Sequence, residues 1–123
     1  MSSFLSVSPI GDGDPMSIPV NDFGPSIAYY VHVLGFTLVE RTADSAVLVR
    51  GEAKIGLARN GLDPYQASFY FGVSDVRELR EELLAKHVEP SELRIDQWGG
   101  GRFEVFFAKE PFGVCFCFGQ KLS

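Results

Sequence analysis

The sequence predicts an α+β fold made of two βαβββ modules, about residues 15–60 and 67–119, preceded by a loose arm over 1–14. Three observations predict it. The stretches I18-P-V-N-D22 and F71-G-V-S-D75 share one form: apolar, any residue, Val, polar, Asp. Each runs into a segment whose apolar residues recur at helical spacing, Ile27, Tyr30, Val31 and Leu34 in one and Val76, Leu79 and Leu83 in the other. Each helix is followed by short β-rich runs cut by turn residues. A lone module could not bury its sheet, so the two halves must pack together into one domain, 15–123.

The elements follow in chain order. Met1 to Pro15 is rich in Ser, Gly, Asp and Pro and reads as the arm. Met16, Ile18 and Val20 share one face of the opening strand, and Asp22 is placed to cap the first helix. Gly35 is its stop. Strands over 36–41 and 46–50 flank the turn T42-A-D-S45, and a strand over 54–59 follows the turn at G51-E52. After the loop 60–66, Phe69, Phe71 and Val73 share a strand face. Asp75 with Glu78 three residues later reads as a capping box. The second helix ends near His87. Strands over 92–96, 102–109 and 114–118 are separated by the loop Q97-W-G-G-G101 and the turn E110-P-F-G113.

Composition narrows the function. The formal net charge is −5 and the pI about 4.9. A nucleic-acid binder needs a basic footprint, which is missing, as is a polybasic membrane surface. The charge is compatible with a cationic small molecule. No run approaches the roughly 18 apolar residues of a membrane span. The first fifteen residues lack the basic and apolar regions of a signal peptide, so the expectation is a cytoplasmic protein. The two cysteines, in G113-V-C-F-C-F-G119, stand at i and i+2 of a strand, so they share a face and are poorly placed for a disulfide with each other. No paired Cys and His motif suggests a structural zinc site.

The stretches V20-N-D22, A28-Y-Y-V-H-V-L-G-F36, V73-S-D75, W98-G-G and E110-P-F-G113 come in an order that resembles the vicinal-oxygen-chelate superfamily of glyoxalases, extradiol dioxygenases and bleomycin-resistance proteins. The resemblance covers about residues 15–119. It implies sheets that curl around a cavity, with the helices outside. It also implies a divalent metal in the enzyme members, held by His or Gln, His and Glu from the first strand, the strand opening the second module and the last strand. Carried onto this chain, those positions fall at Pro15 or Met16, at Ser68 and at Cys117. None is a good ligand for a hard divalent ion. His32 and His87 read as helix-surface residues and do not repair the set.

With no cofactor expected, the resemblance is nearest to the bleomycin-resistance proteins, which sequester a drug without metal catalysis as dimers. L49-V-R-G-E-A-K-I-G-L-A-R-N-G-L-D-P63 is similar to their strand-turn-strand and loop, while E110-P-F-G113 replaces their Asp-Pro-Asp-Gly turn. The expected function is a metal-independent, homodimeric protein that binds a small molecule, flat and aromatic or cationic, with no nucleic-acid or membrane partner. The candidate ligand-binding residues are Trp98, for stacking from a glycine-flanked loop, Tyr70 and Ser68 on the cavity face of their strand, Cys117, and the carboxylates Glu40 and Glu104. No nucleophile–base pair or phosphate loop appears, so no catalytic residue is assigned. Two alternatives stand beside this reading. One is a metal-dependent enzyme recruiting Glu40, Asp96, Glu104 or the histidines. The other is an interaction module whose cavity is filled by some of its 11 phenylalanines.

Overall fold

The structure, a computed structural model, describes residues 2–122. Asp75 ends an extended stretch, and its Oδ1 accepts the Glu78 N–H at 3.0 Å. That satisfies one of the free donors at the start of a helix and sets α2 at Val76–Ala85. Helix α1, Phe23–His32, starts after Asp22 without a side-chain bond from it. Its seat is apolar instead, through Phe23, Ile27 and Tyr30, all buried. At the end of α2, His87 takes φ 65°. This lets Val88 N–H reach Leu83 O and His87 N–H reach Leu84 O, each at 3.0 Å.

Nine strands are described, in two sheets. The first module contributes β2 (Ile18–Pro19), β3 (Thr37–Arg41), β4 (Ser45–Arg50) and β5 (Ala53–Ala58), in the order β2-β5-β4-β3. The second contributes β6 (Ser68–Val73), β7 (Arg94–Trp98), β8 (Gly101–Lys109) and β9 (Cys115–Lys121). In both, the opening strand runs parallel to the closing strand, β2 beside β5 and β6 beside β9, and the rest is antiparallel. The repeated βαβββ unit expected from the two Val-x-Asp stretches is therefore present.

The N-terminal segment departs from expectation. Phe4–Pro9 is strand β1, which joins the second module's sheet antiparallel to β6 and gives the order β1-β6-β9-β8-β7. Burial supplies the reason: Phe4 is 1% exposed, with its ring 5.6 Å from Phe36 and 5.4 Å from Phe71. A Ser- and Pro-rich composition does not keep a segment loose when one ring is anchored this way. The opening strand of the first module is thus split. Its first part pairs with β6 and its second, Ile18–Pro19, with β5; Pro15 and Met16 lie in neither strand.

The core lies between the sheets and the helices. Phe69, Phe71, Phe106, Phe116 and Phe118 face it, and Phe71 stacks on Phe118 with centroids 5.5 Å apart. Arg50 ties the modules together. Its guanidinium forks onto Glu82 of α2 at 2.8 and 2.9 Å, donates to Leu34 O at 2.8 Å and lies 4.4 Å from the Phe4 centroid. A bidentate pair on a half-buried site is the strong kind.

Candidate functional site

Strand alternation decides which side chains face away from the core. On β6, Phe69 and Phe71 point to the helices, so Ser68 and Tyr70 point the other way. The register then aligns Tyr70 with Cys117 on β9, and Cys117 with Phe107 on β8. Phe103, two pleats along β8, pairs with Asp96 on β7, and Trp98 pairs with Gly101. Tyr70, Cys117, Phe107, Phe103, Asp96 and Trp98 line an open cleft of about 530 Å³, with Ser8, Pro9 and Ile10 of the β1 region along one edge. That volume is within the ordinary range for small-molecule sites, so the phenylalanines do not fill the cavity.

The walls are aromatic. Trp98 sits edge-on to Tyr70, centroids 5.6 Å apart, and against Phe103 at 4.8 Å. Tyr70 is itself edge-on to Phe103 at 6.5 Å. The tilt of Tyr70 requires a glycine beside it: a Cβ on Gly119 would lie 2.6 Å from Tyr70 Oη. Trp98, 42% exposed, is the last residue of β7, where a loop over 97–101 was expected. The chain reverses over Gly99 and Gly100 alone, at φ 50° and 82°, as a two-residue hairpin turn demands. These glycines serve the turn, since nothing lies within 4 Å of where their Cβ atoms would be.

The floor is electrically quiet apart from one ion pair. Burial pushes the Cys117 thiol up to about 12, with nearby Asp96 adding to the shift. The Tyr70 hydroxyl is also raised, first by burial and then by Cys117. The thiol and the hydroxyl are therefore protonated at neutral pH. Arg94 and Asp96 supply the charge: Nε and Nη2 of Arg94 donate to Asp96 Oδ2 at 3.3 and 3.1 Å. The guanidinium also lies 4.8 Å from the Phe107 centroid.

Of the six residues expected from sequence, Tyr70, Trp98 and Cys117 line this cleft together. Ser68 lies on the same sheet face, opposite Cys115, but outside the cleft lining. Glu40 is exposed on β3 of the other sheet. Glu104 does not line the cleft: it points toward α2, where Arg77 grips it with two bonds of 2.9 Å. Its neighbours Phe103 and Val105 take the opposite face, because strand residues alternate. Phe103, Phe107 and Arg94 were missed. The signal was the alternation F103-E-V-F-F107, whose odd positions share the face of Cys117 once the register is fixed.

A second depression of about 600 Å³ lies under the 10–17 segment, beside Asp12, Asp14 and Asp63. Two of its three carboxylates hold their own turns: Asp14 accepts from Met16 N–H and Asp63 from Tyr65 N–H. The aromatic cleft is the one whose lining gathers four aromatic rings. Among the described residues, no three His, Cys, Asp or Glu side chains gather to hold a metal ion. No described helix is long and apolar enough to cross a membrane.

Known proteins similar to this one include the following three. YwkD of Bacillus subtilis is 29% identical over 111 residues, covering 75% of this chain and 84% of its own. The bleomycin resistance determinant encoded on the transposon Tn5 superposes with a TM-score of 0.72 at 23% identity, over 89% of this chain and 97% of that one. The bleomycin-binding protein of Streptomyces verticillus, solved with copper(II)-bleomycin, gives 0.67 at 23%, over 86% and 93%. These two structures share the fold. Residues 14–118 match the family described as the glyoxalase/bleomycin resistance protein/dioxygenase superfamily, and the chain belongs to that family.

Proposed function

We propose that this is a metal-independent binding protein that acts as a homodimer in the cytoplasm and sequesters a flat, aromatic-bearing small molecule. One observation carries the reading: an open cleft walled by Tyr70, Trp98 and Phe103, with a protonated thiol at its floor. Flat aromatic ligands gain from rings offered edge-on and tilted in this way.

Metal independence is supported by the donors. On the strands that carry ligands in the metal-binding relatives, the cleft offers Ser8, Tyr70 and Cys117. Hydroxyls and a protonated thiol are poor ligands for a divalent ion. Asp96 is the cleft's sole carboxylate and is engaged by Arg94. A metal-dependent enzyme would need Glu40 or Glu104 as well, and these lie on the other sheet and on the opposite face. Dimerisation is supported by β3, exposed along its whole length with Val39 60% exposed, a sheet surface that a second copy would cover. Two unbridged cysteines suit a reducing compartment.

The test is a fluorescence titration of Trp98, the sole tryptophan, with bleomycin in metal-free and copper-loaded forms. The expected result is saturable quenching with one site per chain. No change at tens of micromolar, with calorimetry in agreement, removes bleomycin as the ligand. Tight binding of one divalent ion per chain would overturn metal independence.

A further inference from the structure

We infer that Arg94 is a tethered stand-in for a cationic ligand, and that the cleft takes an aromatic or alkylated ammonium compound which displaces Arg94 from Asp96 and from the face of Phe107. The inference rests on the cleft being a small-molecule site and names the ligand class for it.

Three ion pairs among the described residues allow a comparison. Arg77 and Glu104 meet fork to fork at 2.9 and 2.9 Å, and Arg50 and Glu82 at 2.8 and 2.9 Å. Each uses both carboxylate oxygens and joins two elements of the fold. Arg94 is held differently. Both of its bonds fall on one oxygen of Asp96, at 3.3 and 3.1 Å, beyond the roughly 2.7–2.9 Å of a strong charge-assisted bond. The two residues stand two apart on one strand, so the pair joins nothing. The Arg94 side chain is 60% exposed, while that of Asp96 is 21% exposed. The guanidinium can therefore swing into water at little cost to the fold, leaving Asp96 behind in the cleft.

What Arg94 touches defines what would replace it. A carboxylate and an aromatic face together are the surroundings that receive an ammonium group. Trp98 and Phe103 then pack the ligand's apolar body. An anion fits worse: beside Arg94 it would meet Asp96, in a chain of net charge −5.

The test uses three probes of similar shape on the full chain, read by Trp98 fluorescence: benzyltrimethylammonium, its neutral carbon isostere and benzenesulfonate. The cation should bind best to the parent protein. Arg94→Gln should tighten the cation about fivefold or more, by removing its competitor. Asp96→Asn should weaken it about tenfold, and both changes should leave the neutral isostere within about twofold. If Arg94→Gln does not fold, Arg94→Lys, which keeps the charge without the two-pronged bond, should still tighten the cation by a smaller factor. Weaker cation binding in either Arg94 variant, or preference for benzenesulfonate, overturns the proposal. Equal binding of cation and neutral isostere also overturns it, while leaving the aromatic cleft intact as a binding site. If none of the three probes perturbs Trp98 at millimolar concentration, the cleft reading itself falls, and this inference with it.

Discussion

The two modules have the same order of elements and opposite surfaces. Away from the core, the second module's sheet presents Tyr70, Trp98, Phe103 and Phe107 around a cleft. The first presents β3, exposed throughout, and half-buried Val47 and Val49 on β4. The helices differ too. Helix α1 is seated by apolar burial, while α2 is capped by Asp75 and linked to its surroundings through Glu82–Arg50 and Arg77–Glu104. The repeat specifies the scaffold, and the side chains on one copy of it specify the site.

Substitutions can break this contrast, beginning with the core the modules share. Phe71→Ala removes a ring packed against Phe4, Phe36, Phe116 and Phe118, and should cost about 3–5 kcal/mol in chemical denaturation. Val39→Thr on the exposed strand should stay within about 0.5 kcal/mol. Equal costs would mean that β3 is buried in the isolated chain. Next in size is Arg50→Met, which strands Glu82 and the Leu34 carbonyl; about 2 kcal/mol is expected from the same measurement.

Trp98→Ala should weaken an aromatic ligand about tenfold by calorimetry while leaving the denaturation midpoint nearly unchanged. A large loss of stability instead would make Trp98 a packing residue. The caps sharpen the comparison of helices. Asp75→Ala should cost about 1 kcal/mol and Asp22→Ala less than half as much, because Asp75 alone bonds a helix N–H.

The smallest effect is a pH dependence of opposite sign at two glutamates. The Arg77 bond holds the Glu104 carboxyl below its ordinary 4.5, while burial holds that of Glu110 above it. Glu104 therefore adds stability that is present above pH 4.5 and lost as pH falls through its lower folded value. Glu110 does the reverse: the fold weakens as pH rises from 4.5 through its higher folded value. Melting temperatures measured from acid to neutral pH should rise less steeply with pH for Glu104→Gln than for the parent, and more steeply for Glu110→Gln.

The sequence made the repeated unit, both helices and most strand boundaries legible, because period and capping residues are local signals. Asp75 with Glu78 is one, and the Gly51-Glu52 turn another. Strand β1 was hidden because Phe4, Leu5 and Val7 are interspersed with serines in no clear alternation, and the partners of Phe4, Phe36 and Phe71, are distant in sequence. Trp98 was legible as a candidate for the cleft it lines, although its place at a strand end was not, since Gly99-Gly100 reads equally as a loop or as a tight turn. Phe103, Phe107 and Arg94 needed the register between β7, β8 and β9, which only the folded sheet supplies. The face that Glu104 takes was hidden for the same reason: one step of alternation sends a side chain to the opposite face.

The split opening strand has a consequence for biosynthesis. Strand β1 leaves the ribosome before any of the chain it will pair with. The ring of Phe4 can meet Phe36 and Arg50 early, but the strand's hydrogen-bonded pairing must wait for β6, after the whole first module has been made. Until then an unpaired strand edge stays open to other chains. This distant pairing also raises the contact order, which slows folding. Crowded overexpression should therefore trap this protein in aggregates more readily than a relative whose opening strand pairs within its own module.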